Sequence, residues 1–310
     1  MKKLFLLLLI VQSGLSIKLT AQTNFWNSTA ACLGQKPPGD KPEIFAQSLL
    51  SKADTFAFDR VAFSADGKEF YYPTNTTWFN NKTLEIRYFK HDGKKWNGPF
   101  LLNEKYSAPT FSMDGNTMYF LGGKRDSLHS QVWQSQRKGG GWSEPSLYLR
   151  KTYGLYDFMP TKSGVCYVGS NAHQGSLRDF STYDICELRM SATDTTITSL
   201  GKPINTPGFD GDFYVAPDES YIILSAKETK DFECELYITF HKPDRTWTTP
   251  VSLGPNINDG VAHRWGEYVT PDGKYLFYSK GTSPKDCHIY WVRFDKLLAK
   301  LKQENLTTSN

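Results

Sequence analysis

Val269-Thr270-Pro271-Asp272-Gly273-Lys274-Tyr275-Leu276-Phe277-Tyr278-Ser279 reads as the end of a strand, a tight turn and a second strand of large apolar residues. Asp-Gly is a strong hairpin signal, because a two-residue hairpin turn needs positive φ values that glycine adopts without strain. The same phrase stands at Phe63-Ser64-Ala65-Asp66-Gly67-Lys68-Glu69-Phe70-Tyr71-Tyr72 and at Phe111-Ser112-Met113-Asp114-Gly115-Asn116-Thr117-Met118-Tyr119-Phe120. Weaker copies are Thr161-Lys162-Ser163-Gly164 and Val215-Ala216-Pro217-Asp218-Glu219, each followed by an apolar run. From Asp66 through Asp114, Ser163 and Asp218 to Asp272 the steps are 48, 49, 55 and 54 residues.

Two more markers share this period. One is Trp96-Asn97-Gly98-Pro99, Trp142-Ser143-Glu144-Pro145, Leu200-Gly201-Lys202-Pro203 and Trp247-Thr248-Thr249-Pro250. The other is an alternating stretch midway, at residues 84–89, 131–134, 183–188, 235–240 and 288–294. Each unit therefore holds four strands, the outermost tolerating proline because one ladder side faces solvent. Tandem four-stranded units of this length predict an all-β chain folded as a single β-propeller of five blades. The last unit lacks its outer strand, and Lys41-Pro42-Glu43-Ile44-Phe45 carries the matching pattern, so an N-terminal strand is expected to close the ring. Closure removes an exposed sheet edge. The alternative of six blades would have to find a whole blade in residues 22–58. The expected layout is a signal peptide at 1–21, a lead-in at 22–40, the propeller at 41–295 and a tail at 296–310.

These phrases, with Trp247 through Asn258 and the strand from Tyr268, resemble the WD40-like (PD40), TolB-type propeller repeats of exported bacterial proteins. The resemblance covers about residues 40–295; the units around Ser163 and Asp218 depart at the turn. It implies a propeller and an exported protein. Relatives with such repeats include periplasmic protein-interaction modules and sugar-acid lyases that hold a metal with a histidine cluster.

The N-terminus reads differently. Lys2-Lys3, an apolar run from Leu4 to Val11 and a small residue at Ala21 describe a secretory signal peptide, so a periplasmic or extracellular location is expected. Cys32 after Thr29-Ala30-Ala31 suggests lipid modification only faintly. No later stretch is long and apolar enough for a transmembrane segment. The five cysteines, Cys32, Cys166, Cys186, Cys234 and Cys287, form no Cys-x-x-Cys pair. Cys166 and Cys186 could pair across neighbouring strands, but buried free thiols are the plainer expectation. With 36 basic and 32 acidic residues the net charge is +4, and the charges are dispersed, which argues against nucleic acid. A monomer is expected.

In this topology the Asp-Gly turns share one face with the compact middle-to-outer turns. The other face gathers the long loops at 74–83, 122–130, 170–182, 227–232 and 254–265, and loops on a rigid scaffold concentrate binding residues. On that face the inner strands begin with Asp59-Arg60, Tyr106-Ser107, Tyr156-Asp157, Asp210-Gly211-Asp212 and His263-Arg264-Trp265-Gly266-Glu267. Asp59, Asp157, Asp212 and Glu267 are the candidate acids and bases, since converging carboxylates perturb one another. Arg60, Tyr156, Asp210, His263, Arg264 and Trp265 are candidate ligand-binding residues, offering forked hydrogen bonds and a stacking surface. Only His263 falls near the axis, so no cofactor is expected and a divalent metal in the funnel is a remote option. The expectation is a module that binds an envelope protein or a glycan through the long-loop face. The alternative is a glycan-degrading hydrolase or lyase built on the funnel carboxylates.

Overall fold

A computed structural model describes residues 25–51, 54–78, 82–123, 128–191, 193–227, 229 and 233–307. The predicted signal peptide lies outside them. Five antiparallel sheets form a five-bladed β-propeller, and in each the neighbouring strands follow one another in the chain except where the N-terminal strand joins the fifth. The first blade runs from an inner strand in two pieces, Phe56–Ala57 and Ala62–Phe63, through Glu69–Asn75 and Glu85–His91 to Trp96–Glu104. The second blade begins at Tyr106–Phe111, the third at Tyr156–Pro160, the fourth at Phe213–Val215 and the fifth at His263–Val269.

Burial explains why the second strand of most units is rich in apolar residues, Thr117–Gly122 of the second blade being the half-exposed exception. Glu69–Asn75 and Cys166–Ser170 are buried at every position, because neighbouring blades cover both faces of these strands. The third strand alternates instead, as in Glu85–His91. Outer strands are half exposed, and Phe100 and Leu101 of the first blade are left largely in solvent.

The turns correct one expectation. The Asp-Gly turns are four-residue loops rather than two-residue turns, with only the glycine in the left-handed region, at φ 74° for Gly67 and 72° for Gly273. The cause is the residue two before the aspartate. Ser64 donates its hydroxyl to Asp66 Oδ1 at 2.7 Å and accepts the Glu69 N–H at 2.9 Å, so the ladder ends one pair earlier. Thr270 and Asp272 repeat this arrangement. The degenerate fourth copy keeps the same geometry by placing Glu219 at φ 60°.

The ring closes as expected. Glu43–Ile44 pairs antiparallel with His288–Arg293 as the outer strand of the fifth blade. Phe45 then turns into the core, with its ring 5.3, 4.9 and 5.0 Å from those of Phe70, Phe277 and Trp291. The lead-in packs over the same junction. Trp26 donates to the Ala65 carbonyl at 3.0 Å, and Trp96 of the first blade donates to the Ala30 carbonyl at 2.7 Å. Cys32 is 3% exposed within this cluster, so its thiol is enclosed. The tail is a helix, Asp295–Thr307, laying Leu297, Leu298 and Leu301 on the core shared by the third to fifth blades. All five cysteines are free and buried; Cys166 faces Leu188 across the ladder, not Cys186. Among the described residues no helix is long and apolar enough to cross a membrane.

Candidate functional site

Four of the five inner strands are distorted where they approach the axis. Ala108, Asp157 and Gly266 take left-handed φ values of 48°, 52° and 66° at register shifts, and Asp59 does so at 62° within the break of the first blade. At Gly266 the distortion coincides with a close approach: a Cβ there would lie 2.5 Å from the Arg60 nitrogen. Fifth and first blades can meet only over a glycine.

Arg60 uses that proximity to cross the axis. Its Nη2 lies 2.7 Å from Asp157 Oδ2 of the third blade and donates to the Phe213 carbonyl of the fourth at 2.9 Å. Its Nε donates to the Glu267 carbonyl of the fifth at 3.4 Å. Arg60 and Asp157 are 1% and 2% exposed, so the pair is shielded from solvent. Burial pushes the Asp157 carboxyl above its ordinary range, and Arg60 opposes that rise.

The other predicted acids are also engaged. Asp59 Oδ1 accepts the Arg60 N–H at 2.7 Å; burial raises its pKa, while Arg60 and hydrogen bonds from Ser107 and the Ala108 backbone hold it down. Asp212 Oδ1 accepts the Tyr156 hydroxyl at 3.0 Å. Glu267 is fully buried, and its Oε1 accepts the Ser225 hydroxyl at 2.8 Å while Oε2 has no protein partner. Burial pushes its pKa up to about 8, with Asp157 adding to the rise against hydrogen bonding and Arg60. Asp210 caps a loop turn through Thr206, and burial raises it to about 6.

Three predicted ligand residues are absorbed by the fold. The five N–H groups of Arg264 donate to the carbonyls of Ile257, Cys234, Ala262, Asp259 and Gly260, which makes it the clamp of the 254–265 loop. Trp265 packs with Phe56, Phe58, Leu84 and Cys287. His263 stacks on Trp265 with ring centres 4.3 Å apart, and its Nδ1 is 3.6 Å from Cys234 Sγ. Among the described residues no group of three His, Cys, Asp or Glu side chains is arranged to hold a metal.

What stays open is a cleft beside the axis, not on it. It has a volume of 430 Å³ on the long-loop face, between the second and third blades. Asp59, Asp157 and Ser107 line its floor, and Tyr156 rises from the third blade. His129, Arg178 and Phe180, which the inner-strand pattern did not single out, line the walls. Phe180 is 50% exposed and stacks on Phe209, with ring centres 4.1 Å apart and planes 19° apart. Phe209 in turn lines a second cleft of 580 Å³ between the third and fourth blades, with Asp210, Lys227 and Tyr237. The stacked pair is thus a ridge between two openings. Ser107, Gly122 and Gly123 of the second blade also line the cleft; the two glycines are required by close packing within that blade, since a Cβ would meet the Lys105 carbonyl at Gly122 and the Trp133 ring at Gly123.

No family model matches the sequence, and no curated protein matches it. Among solved structures, the putative TolB from Agrobacterium tumefaciens superposes with a TM-score of 0.45 at 13% identity, over 77% of each chain. TolB from Acinetobacter baumannii gives 0.40 at 14% identity, over 75% of this chain and 54% of that one. Prolyl oligopeptidase B from Galerina marginata gives 0.41 at 16% identity, over 72% of this chain and 31% of that one. The chain therefore spans less than a third of that peptidase and about half of the Acinetobacter protein. The five antiparallel sheets of this chain themselves define a five-bladed β-propeller.

Proposed function

We propose that this chain is an exported, non-catalytic binding module whose long-loop face takes an envelope protein or a glycan. One observation carries the reading: Asp157, Asp212 and one oxygen of Glu267 are committed to Arg60, Tyr156 and Ser225, while the cleft beside them stays open. A general base needs a lone pair aimed at substrate, and a carboxylate held by a buried guanidinium is a poor one. Exposed Phe180 and Leu177, at 50% and 69%, add apolar surface at the rim, as binding hot spots require.

The test is retention of envelope proteins and oligosaccharides by the mature chain. Phe180→Ala combined with Leu177→Ser should abolish retention, and Lys94→Glu on the opposite face should not. Glycan turnover that disappears with Asp157→Asn in a folded variant would overturn the reading in favour of an enzyme, as would retention that maps to the opposite face in favour of a different surface.

A further inference from the structure

The cleft between the second and third blades is graded in charge from floor to rim. At the floor Arg60 brings one positive charge against the two carboxylates of Asp59 and Asp157. Burial disfavours the ionised form of Asp59, which Arg60 and its hydrogen bonds oppose, and a cation beside it would act in the same direction. Asp59 is the half-buried member of the three, while Arg60 and Asp157 are closed off. It is also held at a left-handed φ of 62°, a conformation a non-glycine residue keeps only when its surroundings impose it. The waist above is apolar, lined by Leu84, Leu121 and Leu155 with the Phe180 ring. Exposed Arg178 lines the mouth with His129, whose Nδ1 lies 3.0 Å from the Arg150 guanidinium outside the cleft.

We propose that this cleft binds a small zwitterion, a free amino acid or the end of a short peptide, with its ammonium group on Asp59 and its carboxylate against Arg178. The side chain of the ligand fills the waist against the leucines and Phe180. The 430 Å³ volume lies within the range of small-molecule sites and suits a body of dipeptide size. An ammonium at the floor would add to the one guanidinium that Arg60 supplies beside Asp59 and Asp157. The inference rests on the long-loop face being the binding face.

Calorimetric titration of the mature chain with Ala-Xaa dipeptides, their N-acetylated forms and their C-terminal amides tests it. An apolar dipeptide should bind, N-acetylation should remove binding, and amidation should weaken it about tenfold or more, the loss expected for a charge-assisted hydrogen bond. Arg178→Gln, at the exposed rim, should weaken the dipeptide by a similar factor and leave the amide unaffected. Asp59→Asn should abolish binding of both; because Asp59 also holds the Arg60 backbone, the ligand series stands as the independent check. Free phenylalanine binding as tightly as Ala-Phe would assign an amino acid, and tighter binding of Ala-Phe a peptide end. Equal affinity for the N-acetylated forms, or no binding by any dipeptide at millimolar concentration, overturns the proposal. If an envelope partner is still retained and dipeptides do not compete, the zwitterion site falls while the binding reading stands; if nothing is retained either, both fall.

Discussion

Replacing Glu267 by glutamine should flatten the pH dependence of stability. The carboxyl is fully buried on the axis, Ser225 donates to one oxygen, and the other oxygen has no protein partner. Burial raises its pKa from 4.5 to about 8. A carboxyl whose folded pKa is raised gives stability that is fully present below about pH 4.5 and is lost as pH rises through 8, because the unfolded chain gives up a proton that the folded chain keeps. Each pH unit in that window costs about 1.4 kcal/mol, so by pH 7 the loss is about 3 kcal/mol. Glutamine keeps the acceptor for Ser225, matches the neutral acid in shape and does not titrate. At pH 4.5 the two proteins should agree to within about 1 kcal/mol; at pH 7 the variant should be more stable by about 3 kcal/mol, or roughly 6 °C in Tm for a domain of this size. Asp157 and Asp210 are also raised by burial, but both proteins contain them, so to first order they cancel in the difference. Calorimetric melting at constant ionic strength between pH 4.5 and 8.5 reads the result. Parallel melting curves across that range would refute the reasoning, since they would mean that Glu267 is already ionised in the folded ring.

Four further outcomes follow from the same geometry. Arg60→Met should cost about 3–5 kcal/mol in urea unfolding by leaving Asp157 buried and unpaired, and adding Asp157→Asn should recover much of the loss; no recovery would mean that the pair is not the main role of Arg60. Gly273→Ala should cost about 1–2 kcal/mol through its left-handed φ alone, and Gly67→Ala measurably more, because a Cβ at Gly67 would lie 2.8 Å from the Trp26 ring; equal losses would contradict the packing of the lead-in. Phe45→Ala should cost about 3–5 kcal/mol, and hydrogen exchange should then speed up along His288–Arg293 more than along Asp184–Met190, since closure loosens first at the N-terminal strand. A thiol reagent should leave the native protein unlabelled and modify Cys32, Cys166, Cys186, Cys234 and Cys287 after unfolding; any pair that stays unreactive without reductant would reveal a disulfide.

The fold was legible because the chain repeats itself. Asp66, Asp114 and Asp272 mark hairpins whose flanking strands must be apolar on both faces, and the missing fifth outer strand could be sought only where Glu43–Ile44 lies. The turn type was not legible, because Ser64 and Thr270 decide it through hydroxyl groups that the Asp-Gly pair does not reveal. The same distance from sequence to side-chain partner misdirected Arg264. Its position at the start of an inner strand suggested a ligand-facing guanidinium, but whether the side chain points to the funnel or curls into its own loop depends on the carbonyls of Ile257, Asp259 and Gly260, which no local pattern encodes.

The axis itself shows why counting convergent carboxylates overestimates chemistry in a ring of this kind. Five inner strands meet so closely that Gly266 has no room for a side chain over Arg60. Charges brought into such a space must neutralise one another or stay protonated, and here Asp157 does the first while burial drives Glu267 towards the second. Arg60 is therefore the price of placing acids on the axis, and its reach to the third, fourth and fifth blades ties together strands that share no ladder. The second blade is the one whose inner strand begins without a carboxylate, at Tyr106-Ser107, and the cleft lies against it. In such a ring the convergent acids close the axis by pairing, and the opening falls beside the blade that brings none, with the half-buried Asp59 at its floor.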